Sequence, residues 1–326
     1  MRIQSTLTIT FLVMLIGLAA ILPLTPADAQ DTALPPTPAA PPTATPIPRP
    51  GAAQSLSADG MTVDLYFSGL AQGQTGLVYV SGEGLAGARA RFLNQLTDCF
   101  PGDDGYYCLI STSMEQSTRV YDLDIFGWFA DEARTTIHTQ VEVGLGKFIR
   151  QEVTIPPERA YLIDPEIERG ELARMESIFS TFTEEEYWDG TGFALPIAGS
   201  ELTSPFGAFR TFNDSVQTRH TGWDLRTTLG QPVMATAAGE VAFTGLLDIR
   251  GNIVVIDHGY GVFSTYSHLS QVHVTRGQTI TKGQIIGTTG NTGRSSGPHF
   301  HWEIAVNGVF VDSVQFIQMW LPAHTE

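Results

Sequence analysis

From about residue 193 onward the chain is a succession of short strand-like runs cut by glycine: QPVMATAAGEVAFTG, GNIVVIDHGYGVFSTYSHL, VHVTRGQTITKGQIIGTTG and PHFHWEIAV. No stretch of useful length carries helical spacing, so this half is restricted to an antiparallel β domain. Seven of the eight histidines fall within it. In GPHFHWEIAV, residues 297–306, His299 and His301 stand two apart. Strand positions i and i+2 share a face, so the two imidazoles aim at one spot while Phe300 and Trp302 turn into packing. Both could bind one metal, one could bind while the other does acid–base work, or neither could act on a ligand. An isolated H-x-H does not choose among these.

The preceding part has a different texture. Between about 51 and 160, seven runs (MTVDLYFSG, QTGLVYVSG, ARARFLNQL, YYCLIST, TRVYDLDIFGWF, TTIHTQVEVG, KFIRQEVTI) are separated by Gly, Asp or Ser. Their spacing of roughly a dozen residues predicts an immunoglobulin-like sandwich. His138 stands alone in one run and reads as a surface or packing residue; Trp128 and Phe129 read as core. The two cysteines, Cys99 and Cys108, flank the turn residues PGDDG, which predicts a hairpin closed by a disulfide in an oxidising compartment. A short helix is expected after the sandwich, capped by Asp164, with Pro165 at its first position and Glu166 and Glu168 at its positive end. Leu172, Met175, Phe179 and Phe182 would form its apolar stripe. Glu184–Glu186 reads as a solvated face.

The N-terminus bears on compartment. Residues 7–24 are apolar over the length of a signal-peptide core, and ADAQ supplies Ala27 and Ala29 in an A-x-A pattern. Cleavage after Ala29 is expected, giving a secreted or cell-envelope, extracytoplasmic protein; a membrane contact follows only if the segment stays uncleaved. Residues 30–50 form a Pro/Thr/Ala-rich linker with nothing to bury. The formal net charge of −16, from 34 acidic and 18 basic residues, argues against nucleic acid as a partner.

Three segments carry candidate ligands: RHTGWDL with His220 and Asp224, TYSHL with His268, and HFH with His299 and His301. Two histidines, a carboxylate and an open position are a plausible catalytic zinc set. Four residues of straight strand span about 13 Å, too far for His220 and Asp224 to share a metal, so the segment should bend at Gly222. His258 beside a hairpin turn, His273 on a surface strand and His324 near the C-terminus have no ligand partners in sequence. Tyr266 would share a face with His268 and is equally explained as core.

Taken together, RHTGWDLRTTLGQPVMATAAGEVAFTG, GNIVVIDHGYGVFSTYSHLS and VTRGQTITKGQIIGTTGNTGRSSGPHFHWE resemble the lysostaphin-type (LytM-like) zinc metalloendopeptidases of bacterial peptidoglycan. The resemblance covers roughly residues 193–315 and rests on the joint H-x-x-x-D, Y-x-H-L and G-P-H-x-H pattern. It implies zinc held by His220, Asp224 and His301, with His268 and His299 catalytic and not bound to the metal. It implies hydrolysis of peptide cross-links by zinc-activated water, with those two histidines as general base and oxyanion stabiliser. The family commonly shows Leu and Phe where this chain has Phe300 and Trp302. The sandwich resembles, less specifically, accessory domains that precede such peptidases. The expected architecture is therefore all-β in two domains: the sandwich over 51–160, a helical connector over 161–192 and a zinc metallopeptidase domain over 193–326. Some relatives lack a ligand and act as wall-binding modules that activate another hydrolase, which is the alternative function. Softer versions give the sandwich a masking or targeting role.

Overall fold

In the computed structural model the described residues are 46–323. The expected signal peptide, residues 30–45 of the linker and His324 lie outside them. Two five-stranded sheets form the N-terminal part. The first runs Gln54–Ala58, Met61–Leu65, Thr75–Gly82, Gly105–Ser111, Phe100–Gly102; the second runs Leu70–Ala71, Arg134–Gly144, Val120–Phe129, Leu85–Phe92, Gln95–Asp98. Alternate residues from both sheets meet in one core: Met61, Val63, Val78, Val80, Cys108 and Ile110 from the first, and Ala88, Ala90, Leu123, Ile125 and Ile137 from the second. This is the pairing of inner faces that strand periodicity predicts. The hairpin between the cysteines is present, with Phe100 opposite Tyr107 and Gly102 opposite Gly105, and a Cys99–Cys108 disulfide closes it.

Trp128 is not core. Leu123, Ile125 and Gly127 face inward and there is no space for a side chain at 127, so Trp128 takes the outer face and is 36% exposed. Phe129 packs at the core's edge. His138 is exposed, with Nδ1 2.6 Å from Asp124 Oδ1.

The strand Thr75–Gly82 is buried on both faces. Val78 and Val80 enter the sandwich core, whereas Leu77 and Tyr79, with Phe100, Tyr107 and Leu109, join the core of the C-terminal domain. Phe100 stacks on Tyr260 at 4.7 Å and meets Trp188 edge-on at 5.7 Å. Backbone and side chain reinforce the junction: Thr75 N donates to Gln315 Oε1 at 3.0 Å, and Gln315 Nε2 donates to Thr75 O at 3.1 Å. Burying each such apolar side chain stabilises by roughly 1.5–3 kcal/mol, so the two parts share one interior. The linker's end is also engaged. Ile47 is half-buried, and Arg49 lies over Tyr79 at 4.6 Å and Trp320 at 5.2 Å, with Nε donating to Tyr66 Oη.

The C-terminal domain is built on a ten-stranded sheet of antiparallel pairs in which Trp223–Leu225, Phe300–Val306, Val262–Val272, Gly251–Asp257 and Gly239–Leu247 lie side by side. Phe300–Val306 is buried throughout. One face carries Tyr266, Phe300, Trp302 and Ile304; the other packs Ile253, Val255, Phe263 and Ala305 under the connector helix. That helix, Pro165–Phe179, starts as expected, with Asp164 Oδ1 accepting from Glu166 N at 2.9 Å. Its buried face is Glu171, Met175 and Phe179, at i, i+4 and i+8. Leu172 is only half-buried and Phe182 lies beyond the helix end, 47% exposed. Among the described residues no helix is long and apolar enough to cross a membrane.

The last of the seven N-terminal runs joins neither sandwich sheet. Arg150–Val153 pairs in parallel with Phe209–Phe212, which pairs antiparallel with Val216–Arg219. The chain thus pairs with the C-terminal domain at Arg150–Val153, within the span expected for the sandwich and ahead of the connector.

Candidate metal centre

The segment 220–224 passes between two sheets. His220 follows Val216–Arg219 of the three-stranded sheet, and Asp224 lies in Trp223–Leu225 of the large one. Gly222 sits at the crossing. Its role is close approach rather than a left-handed backbone: a Cβ there would stand 2.2 Å from Trp302 O. Antiparallel pairing then sets Asp224 directly opposite His301.

Three donor atoms converge. His220 Nε2 is 3.1 Å from Asp224 Oδ1 and 2.9 Å from His301 Nδ1, and His301 Nδ1 is 3.0 Å from Asp224 Oδ1. All three residues are buried and could hold one metal ion. Each has its remaining polar atom engaged. His220 Nδ1 is 2.8 Å from Pro205 O, and a carbonyl only accepts, so the proton sits on Nδ1 and the Nε2 lone pair faces inward. His301 Nε2 is 3.2 Å from Glu303 Oε1, which leaves Nδ1 for the centre. Asp224 Oδ2 accepts from Arg210 Nη2.

The other two histidines border this cluster. His268 N donates to Arg250 O at 2.8 Å and its Nδ1 donates to Thr292 O at 2.7 Å; its backbone is left-handed, with φ +58°. The His268 and His299 rings are 4.6 Å apart, and His299 Nε2 is 3.7 Å from Asp224 Oδ1. His299 Nδ1 donates to Gly297 O at 2.8 Å. All five expected residues therefore meet, on the floor of a groove of about 470 Å³.

Burial pushes His220 down to about 4, with Arg210 adding to the shift, and holds His268 well below the ordinary imidazole value. For His301 burial acts downward too, but the carboxylates of Glu303 and Asp224 outweigh it and raise the value. Burial opposes ionisation of Asp224, yet its neighbours hold it well below the carboxylate range; with His220 neutral, Arg210 is the standing charge.

His258 is fully buried and held away from the cluster, with Nδ1 2.6 Å from Ala238 O and Nε2 2.7 Å from Ser264 Oγ. His273 is exposed. Tyr266 is core, its hydroxyl accepting from Thr236 N at 2.8 Å. Four supporting residues escaped the sequence reading: Glu303, Arg210, Arg250 and Glu171. Glu303 had a signal, since it continues the period-two face of His299 and His301; the other three had none.

Residues 218–313 match peptidase family M23. Over 96 residues the chain is 42% identical to peptidoglycan DD-endopeptidase ShyA of Vibrio cholerae, covering 29% of this chain and 22% of that protein. Over 124 residues it is 39% identical to DD-carboxypeptidase/endopeptidase Mpg of Neisseria meningitidis serogroup B, covering 38% of this chain and 29% of that protein. The chain thus spans less than a third of the length of these curated relatives. A crystal structure of a candidate M23 peptidase from Pseudomonas aeruginosa is similar with TM-score 0.57 and 26% identity, over 76% of this chain and 95% of that one. That likeness extends well beyond the 96 residues of the family match.

Proposed function

Residues 218–313 of this chain form a domain of peptidase family M23, and from that premise we propose that the protein is an exported zinc-dependent endopeptidase of peptidoglycan peptide cross-links. The observation that carries the reading is the convergence of His220 Nε2, Asp224 Oδ1 and His301 Nδ1, with His268 and His299 at their edge. Two imidazole nitrogens and one carboxylate, each buried and oriented by a partner on its far side, suit zinc in a catalytic rather than a structural role. Bound there, zinc would supply a Lewis acid for the peptide carbonyl and lower the pKa of water.

The chain's own groups do the rest. His268 and His299 each spend one N–H on a backbone carbonyl, so in the neutral state each offers its other nitrogen as a proton acceptor. Protonated, the same nitrogen becomes a donor. One such pair suffices to take a proton from the attacking water, support the developing oxyanion and return a proton to the leaving amine. A module that only bound the wall would not need this pair. The curated relatives, a peptidoglycan DD-endopeptidase and a DD-carboxypeptidase/endopeptidase, support peptidoglycan peptides as the target. Export is supported by the apolar N-terminal run with its A-x-A site and by the disulfide pairing. An immunoglobulin-like class for the sandwich is the finer reading of its two packed sheets.

The test uses residues 30–326 incubated with intact peptidoglycan, with and without a zinc chelator, and soluble fragments read by mass spectrometry. Chelator-sensitive release of cross-link halves is expected, and their masses identify the bond. No cleavage by protein with zinc confirmed in place would overturn the proposal.

A further inference from the structure

Glu171 is the only acidic residue of the connector helix that is buried, at 7% exposed. It lies outside the residues that match the peptidase family, yet its carboxylate holds two supports of the site. Oε2 accepts from Ile249 N at 2.7 Å; Oε1 accepts from Arg250 N at 3.1 Å and Arg250 Nη1 at 2.9 Å. From there two short paths lead to the centre. Along the backbone, Arg250 O accepts the N–H of His268, whose left-handed conformation disfavours a residue with a Cβ and must be held from outside. Along the side chain, Arg250 Nε and Nη2 donate to Glu303 at 2.8 and 2.6 Å, and Glu303 Oε1 is the partner of His301 Nε2.

We infer that Glu171 is a positioning residue for both halves of the site, setting the ring of the ligand His301 through Arg250 and Glu303 and the backbone of His268 through Arg250 O. The inference rests on the reading of His220, Asp224 and His301 as a metal site. Without the Glu171 carboxylate, a fully buried guanidinium keeps one carboxylate of two and two backbone N–H groups lose their acceptor. Arg250 is then free to re-aim, and the grip of Glu303 on His301 loosens with it. Outer partners of a ligand histidine are typically worth 10–100-fold in metal affinity. The connector is on this account part of the catalytic unit, and the family-matching segment alone is short of one support.

The experiment compares wild type, Glu171→Gln and Met175→Ala in the full chain. Met175 is fully buried on the same helix and packs in the apolar cluster with Phe179, Ile253, Val255 and Phe263, so Met175→Ala reports destabilisation of the helix without removing a carboxylate. Zinc affinity is measured by competition with a chromogenic chelator, alongside apo-protein melting and the kcat and KM of wall-peptide cleavage. The expected result is zinc affinity roughly tenfold or more weaker in Glu171→Gln, with kcat lowered and KM little changed, while Met175→Ala lowers the melting temperature and keeps wild-type zinc affinity. Unchanged zinc affinity in Glu171→Gln, or an equal loss in Met175→Ala, overturns the inference. If Glu171→Gln does not fold, Glu171→Asp, which keeps the charge one methylene short, is judged by the same criterion. Wild-type protein that binds no zinc removes the metal reading itself and this inference with it.

Discussion

Asp224 and His301 face each other across neighbouring antiparallel strands, with Asp224 Oδ1 3.0 Å from His301 Nδ1. Two of the three candidate ligands are therefore set by strand register, and a slip of one residue in either strand would put the pair on opposite faces of the sheet. Trp223 opposite Trp302 continues the register on the packed side.

Asp224→Asn keeps the shape of the side chain and removes its charge. It should weaken zinc binding by at least about 100-fold, the upper end seen for outer partners of metal ligands, while far-ultraviolet circular dichroism stays unchanged. Equilibrium dialysis with zinc checks it; wild-type affinity would remove Asp224 from the ligand set.

Gly222→Ala has no room, because the new Cβ would lie 2.2 Å from Trp302 O and 2.9 Å from its carbonyl carbon. Backbone cannot rotate aside as a flexible side chain would. The strand pair should separate locally, costing about 1–3 kcal/mol in urea unfolding and lowering zinc affinity. An unaltered unfolding midpoint would show that the crossing has slack.

A fragment of residues 190–326 should be poorly soluble and less active than residues 46–326. It loses the sandwich face that covers Tyr260 and Trp320, and it loses the connector that holds Arg250. Soluble yield and specific activity of the two decide. A fragment that is soluble and more active than the longer chain would support a masking role for the sandwich instead.

His258 gives a pH signature away from the metal. Burial pushes its pKa down to about 4, from an ordinary 6.5. Above 6.5 the imidazole is neutral folded and unfolded and contributes no pH dependence. Between 6.5 and 4 the unfolded chain binds a proton that the folded chain refuses, so stability falls as pH falls, by at most about 1.4 kcal/mol per pH unit. His258→Gln removes that term, so the stability gap between wild type and variant should narrow from pH 6.5 toward pH 4. Parallel stability profiles over that window would contradict the buried neutral assignment.

What the sequence determined by itself was whatever is written between near neighbours. The i and i+2 spacing of His299 and His301 was enough to aim both at one place, and the alternation of Phe300 and Trp302 was enough to send them into packing. Asp164 and Pro165 marked the helix start, and PGDDG marked the hairpin of the disulfide. The joint pattern around His220, His268 and His301 carried the family. Trp128 failed because a glycine at 127 can hold an inward position, which hydrophobic pattern alone does not reveal. Tertiary structure alone decided the double burial of Leu77 and Tyr79, the departure of Arg150–Val153 from the sandwich, and the meeting of Glu171 with Arg250 across 79 residues. The physical reason is range. Backbone geometry fixes where a side chain points relative to its neighbours, whereas a buried carboxylate finds its guanidinium only when the helix has packed on the sheet. On a helix surface Glu171 looks the same as Glu166 or Glu176 until something covers it.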